Sequence, residues 1–210
     1  MSHIVLLGDS IFDNAAYVCG GPPVIEQLQA KLPAGWQATL LAVDGSTAQQ
    51  VAVQLERLPT DATHLVVSTG GNDALGNVNI VSESARSTAE VLEKLAGISE
   101  RFQTAYREML RAALALKLPA AVCTIYYPNF PDPGIQRVLS TALTIFNDVI
   151  IREAFAAGVP LVDFRLVCNE TADYANEIEP SVAGGEKITS AILQLIREHE
   201  FASRRTEVFR

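Results

Sequence analysis

Short apolar runs alternate along the chain with longer stretches in which apolar residues recur every three or four positions. His3 to Leu7 is a continuous apolar run, suited to a central strand of a parallel sheet. Thr39 to Val43, His64 to Ser68, Ala120 to Ile125 and Val159 to Val162 read as four further strands. Pro23 stands at a first helical position, and Ile25, Leu28 and Leu32 follow at helical spacing until Pro33 stops the pattern. Ala48 to Leu58 reads as a helix with Val51 and Leu55 on one face. Val91, Leu92 and Leu95 mark another, and Ser99 is placed to cap a separate helix whose face is Phe102, Tyr106, Met109, Leu110 and Leu114. Ile135, Val138, Leu139, Ala142, Phe146, Val149 and Ile150 mark a strong helix, and Gly184 to His199 holds the last one. The polar tail, Phe201 to Arg210, reads as mobile. Strands alternating with helices predict one α/β domain over 1–210, with a five-stranded parallel sheet covered on both faces. Ligands of such sheets bind beyond the carboxyl ends of the strands.

Composition narrows the classes of function. The 210 residues are 49% hydrophobic, which fills the core of one domain and excludes a disordered chain. A formal net charge of −8 argues against nucleic acid as a partner. No run approaches the ~18 apolar residues of a membrane span. The first residues lack a basic stretch, and their apolar run stops at Gly8, so the expected location is cytoplasmic. Cys19, Cys123 and Cys168 form no metal or redox spacing and are expected as small buried side chains.

Candidate chemistry gathers at the carboxyl ends of the first three strands. Gly8-Asp9-Ser10-Ile11 follows the first, and a serine there serves as a nucleophile or as a helix cap. Asp44-Gly45-Ser46-Thr47 follows the second, where Gly45 either turns a backbone N–H toward the crevice or simply makes a turn. Gly70-Gly71-Asn72-Asp73 follows the third, and the Asn72 amide either donates to an oxyanion or holds its loop.

Together these blocks resemble the SGNH hydrolases, also called GDSL esterases and lipases. The resemblance runs over essentially the whole chain. It implies a three-layer αβα, flavodoxin-like fold and hydrolysis of a small-molecule ester, thioester or acetylated sugar, with no cofactor. Ser10 would be the nucleophile. Gly45 and Asn72 would complete the oxyanion hole with the Ser10 N–H.

The last block departs from the family pattern of Asp-x-x-His-Pro, a small residue and Gly. This chain reads Asn176-Glu177-Ile178-Glu179-Pro180-Ser181-Val182-Ala183-Gly184. Aligning Pro180 and Gly184 puts Glu179 in the histidine position and Asn176 in the aspartate position. No other histidine substitutes. His3 and His64 open strands, about 17 Å from the carboxyl edge, and His199 lies several turns along the last helix.

Glu179 is therefore the candidate base for Ser10, provided burial lifts its pKa toward the working range. The bland readings are a cation ligand, a cap of the final helix or a structural bond to the Ser10 loop. Arg165, if paired with Glu179, would depress that pKa and favour a binding or structural role. A second hypothesis is a non-catalytic protein that binds a small molecule in the same crevice. Asp9, Asp13, Asp44 and Asp73 permit a third, metal-assisted hydrolysis, though their spacing matches no metal motif.

Overall fold

The structure, a computed structural model, describes residues 2–210. Six parallel strands form one sheet: β1 (His3–Gly8), β2 (Gln37–Leu40), β3 (His64–Ser68), β4 (Ala120–Cys123), β5 (Leu161–Val162) and β6 (Val208–Phe209). Their order is β2-β1-β3-β4-β5-β6. In the centre, Ile4 aligns with His64 and Gly8 with Ser68, so β1 and β3 end at the same edge. Helices cover both faces. On one lie α1 (Val24–Lys31) and α7 (Val182–Glu198), packed over Ile4, Leu6, Val66 and Ala121. On the other lie α4 (Thr88–Ala115) and α5 (Pro133–Ala157), packed over Val5, Leu7, Val67 and Val122. Alternation of side chains along the strands divides these two cores. The expected three-layer αβα architecture is observed, with short helices α2 (Val51–Leu55), α3 (Gly71–Leu75) and α6 (Phe164–Val167) at the strand ends.

Four details correct the sequence reading. The sheet has a sixth strand. The tail expected to be mobile returns along β5, with Leu161 N–H donating to Glu207 C=O (2.9 Å) and Asp163 N–H to Phe209 C=O (2.8 Å). Phe209 buries its ring against His199 and the α7 side of the core. Ser99 caps nothing: a single helix runs through it, begun by Ser87, whose hydroxyl accepts from Glu90 N–H (3.2 Å). β2 begins and ends earlier than the apolar run, because Leu41 and Ala42 N–H both donate to the Leu6 carbonyl and break the regular ladder. Cys19 is exposed, while Cys123 and Cys168 are buried as expected.

Candidate active site

The carboxyl end of β1 is forced into a sharp turn. Gly8 has φ +127°, and a Cβ there would run into the Ser68 carbonyl of β3. Asp9 N–H donates to that carbonyl at 3.2 Å, and Phe12 and Asp13 N–H both donate back to Asp9 C=O at 3.1 Å. This turn presents Ser10 at the mouth of the sheet with its backbone N–H free of any protein partner among the described residues.

Ser10 meets its partner from the far end of the chain. Its hydroxyl donates to Glu179 Oε1 at 3.0 Å, and both side chains are buried. The segment carrying Glu179 is pinned at nearly every peptide. Asn176 Oδ1 accepts from Ile178 N–H and Glu179 N–H (2.9 Å each), and Ala175 N–H donates to Glu179 C=O (2.8 Å). Tyr126 OH donates to Ile178 C=O (2.7 Å), and Asn14 Nδ2 donates to Pro180 C=O (3.2 Å). Asn176 therefore anchors the backbone of residue 179 rather than orienting a ring.

The electrostatics of Glu179 follow from what is missing around it. Arg165 turns away and forms a two-point pair with Asp163 (2.8 and 2.6 Å), so the anticipated Arg165–Glu179 pair is not formed. Burial without a cation pushes the Glu179 carboxyl up to about 7; the Ser10 hydrogen bond works against this and the Asp44 charge adds to it. Glu179 Oε2 is buried and has no hydrogen-bond partner among the described residues. Asp9 lies deeper still. Burial raises it to about 8, opposed by the Ile11 N–H and helped by the Glu179 charge. At neutral pH Asp9 is thus mostly an uncharged acid.

The loops after β2 and β3 meet beside this pair. Gly45 has φ +80°, and its N–H has no protein acceptor among the described residues. Asn72 Nδ2 donates to the neighbouring Ser46 carbonyl at 3.0 Å, which spends one of its two N–H bonds and leaves the other. Asn72, Ser10 and Glu179 all line one cleft. Gln54 of α2 ties the end of β1 to the loop after β2. Its amide accepts from Gly8 N–H and donates to Gly8 C=O (2.8 Å each), and reaches Ser46 Oγ at 3.3 Å. Pattern reading passed over Gln54; the only signal was a glutamine on the apolar face of a short helix.

The other polar candidates are otherwise engaged. Asp44 N–H donates to Asp13 Oδ2 (3.0 Å), Tyr17 OH donates to Asp44 Oδ2 (2.7 Å), and Asp73 Oδ2 accepts from Ala48 N–H (3.0 Å). Among the described residues no three His, Cys, Asp or Glu side chains gather as a cation cage. The histidines are occupied elsewhere. His3 bonds Asp61 (2.9 Å) and Thr39 (2.7 Å), His64 bonds Thr63 (2.8 Å), and His199 bonds Glu207 (2.9 Å).

Comparison with known proteins bears on the family and the fold. Residues 6–186 match the model of the GDSL-like lipase/acylhydrolase family. No curated protein matches the chain in sequence. Several solved structures share its fold. A member of the lipolytic G-D-S-L family from Veillonella parvula superposes with a TM-score of 0.71 at 16% identity, covering 95% of this chain and 100% of its own. A lipase from a goat rumen metagenome gives 0.72 at 18%, covering 92% and 97%. A phospholipase A1 from Streptomyces albidoflavus gives 0.62 at 18%, covering 95% and 99%.

Proposed function

The chain belongs to the GDSL-like lipase/acylhydrolase family, and on that premise we propose that it hydrolyses a carboxylic ester through Ser10, with Glu179 as the proton acceptor. One observation carries the reading: the Ser10 hydroxyl donates to a buried carboxylate whose pKa stands near 7. An ordinary carboxylate is too weak a base for a serine proton, and raising it toward neutrality improves the match.

As Ser10 Oγ bonds to the ester carbonyl carbon, its proton passes to Glu179 Oε1. The carbonyl oxygen becomes an oxyanion, held by the N–H groups of Ser10 and Gly45 and the free N–H of Asn72. When the tetrahedral species collapses, the Glu179 acid returns its proton to the departing alkoxide and an acyl-serine remains. Water then attacks the acyl-serine as Glu179 takes its proton, and collapse of the second tetrahedral species breaks the bond to Ser10 Oγ, which regains that proton from Glu179 as a carboxylic acid leaves. A carboxylate has no second ring nitrogen to orient, so this arrangement needs no aspartate behind it. Asn176 meets the lesser requirement of holding the backbone.

A fluorophosphonate probe tests the nucleophile. Wild-type protein is expected to be labelled and Ser10→Ala protein is not; equal labelling of the two overturns the assignment. An unlabelled wild type favours the second reading, a small-molecule-binding protein of the same fold, for which the missing imidazole is the specific support. Asn72→Ala is expected to lower kcat by roughly 10²–10³-fold on a nitrophenyl ester.

A further inference from the structure

The Glu179 carboxylate has little of its own to aim it. Oε1 accepts from Ser10, and Oε2 has no partner among the described residues. A glutamate stem is flexible, so holding the carboxylate on Ser10 falls to the peptides on either side. Those peptides are gripped from two strand exits. From the exit of β4, the Tyr126 hydroxyl donates to Ile178 C=O (2.7 Å) and Asn129 N–H donates to Glu177 C=O (2.8 Å). From the turn after β1, Asn14 Nδ2 donates to Pro180 C=O (3.2 Å). The Asn176 bonds lie inside the segment and travel with it, so they shape the loop without locating it.

Tyr126 is itself firmly seated. The last ladder bond of β4 runs from Thr124 N–H to Val162 C=O (3.0 Å), and Ile125 lies beyond it. There Asn147 of α5, fully buried, supplies what a neighbouring strand would. Its Oδ1 accepts from Ile125 N–H and its Nδ2 donates to Ile125 C=O, at 2.8 Å each. Gln54 grips Gly8 at the exit of β1 in the same two-point manner. The Tyr126 ring stands edge-on to Tyr174 with 5.4 Å between centres, and the Tyr174 hydroxyl donates to Tyr127 C=O (2.7 Å). Burial pushes the Tyr126 hydroxyl well above its ordinary range, so it stays a donor wherever Glu179 titrates.

We propose that Tyr126 is a positioning residue for the proton acceptor: from the β4 exit clipped by Asn147 it holds Ile178 C=O, and so keeps Glu179 Oε1 at bonding distance from Ser10. The proposal rests on the Ser10–Glu179 reading above and adds to it a side chain that acts through another. Misplacing a reacting group by about 1 Å costs up to roughly 10²-fold in rate, which is the scale on which such a tie matters.

Tyr126→Phe keeps the ring, which lines the cleft, and removes only the bond to Ile178. It is expected to lower kcat on a nitrophenyl ester roughly tenfold, with KM within about twofold. The decisive reading is the same substitution in Glu179→Gln protein. A tie that acts through the acceptor has nothing left to place there, so Tyr126→Phe is expected to change the residual kcat less than about twofold. An equal loss in both backgrounds, a loss confined to KM, or wild-type kcat in Tyr126→Phe overturns the positioning role and leaves the base assignment standing. Glu179→Gln protein as active as wild type overturns the base, and the role of Tyr126 with it. A crystal structure of Tyr126→Phe reads the placement even if no ester is turned over. The Ser10–Glu179 contact is expected to open beyond about 3.5 Å, and a contact kept at its wild-type length overturns the proposal.

Discussion

Two pairs of buried carboxylates in this molecule have opposite character. Glu153 of α5 is clamped by Arg107 of α4 (2.9 and 2.6 Å) and by Gln103 (2.7 Å), and its carboxyl is held below the usual range. Asp163 after β5 is likewise clamped by Arg165 and bonded by Thr124 (2.8 Å), and is also lowered. Asp9 and Glu179 are as deeply buried, but among the described residues no cation pairs with either, and both are raised into the neutral range. Residue type does not decide which carboxylate is chemically useful at neutral pH; the placement of arginine does. The clamped pair joins helices and strand ends. Of the unclamped pair, Glu179 bonds the Ser10 hydroxyl and is the proposed proton acceptor.

Removing the proposed proton acceptor is expected to break this contrast most severely. Glu179→Gln keeps a hydrogen-bond acceptor for Ser10 but cannot take its proton, and kcat/KM is expected to fall by roughly 10²–10⁴-fold. Steady-state kinetics with wild-type-like circular dichroism checks it. The pH profile comes next. Because Glu179 acts as its anion, kcat/KM is expected to rise about tenfold per pH unit below about 7 and to level off above. A profile flat from pH 5 to 8 contradicts the base assignment.

The clamped carboxylates are tested through stability. Arg107→Met leaves Glu153 with Gln103 as its remaining partner and is expected to lower the urea midpoint at pH 7. Arg107 is half exposed, and solvent screening keeps the effect modest. The smallest effect is expected from Asp9→Asn. Asp9 is mostly neutral at pH 7, so activity there changes little. The stability curve changes more. A carboxyl raised in the folded state stabilises fully below its ordinary value, and that stability is lost as pH rises through about 8. Asp9→Asn is therefore expected to flatten the fall of melting temperature between the ordinary carboxylate range and about pH 8. The lowered Glu153 works with the opposite sign, and its contribution disappears as pH falls through the acidic carboxylate range.

The central strands were legible because β1 and β3 are buried on both faces and read as unbroken apolar runs. Their glycine-rich exits, with the turn after β2, made Ser10, Gly45 and Asn72 candidates through the rule about strand ends. Glu179 was legible only through the Pro180 and Gly184 that follow it. The rest depended on tertiary partners. Ser99 has the composition of a cap but lies within an unbroken helix, because the apolar face continues from Ile98 through Phe102. The last strand spans two residues whose pairing is set by β5, which no local pattern announces. Gln54 bonds Gly8 across 46 positions, and Arg165 chose Asp163 two positions away over Glu179. Such choices between competing partners are made by packing.

The hydrogen bond between Ser10 and Glu179 spans 169 positions of chain. A ribosome therefore finishes the strand that presents Ser10 long before it makes Glu179, and a partly synthesised polypeptide carries the proposed nucleophile without its proposed base. Hydrolytic competence on this scheme arrives only once residue 179 has been made and packed against the turn after β1.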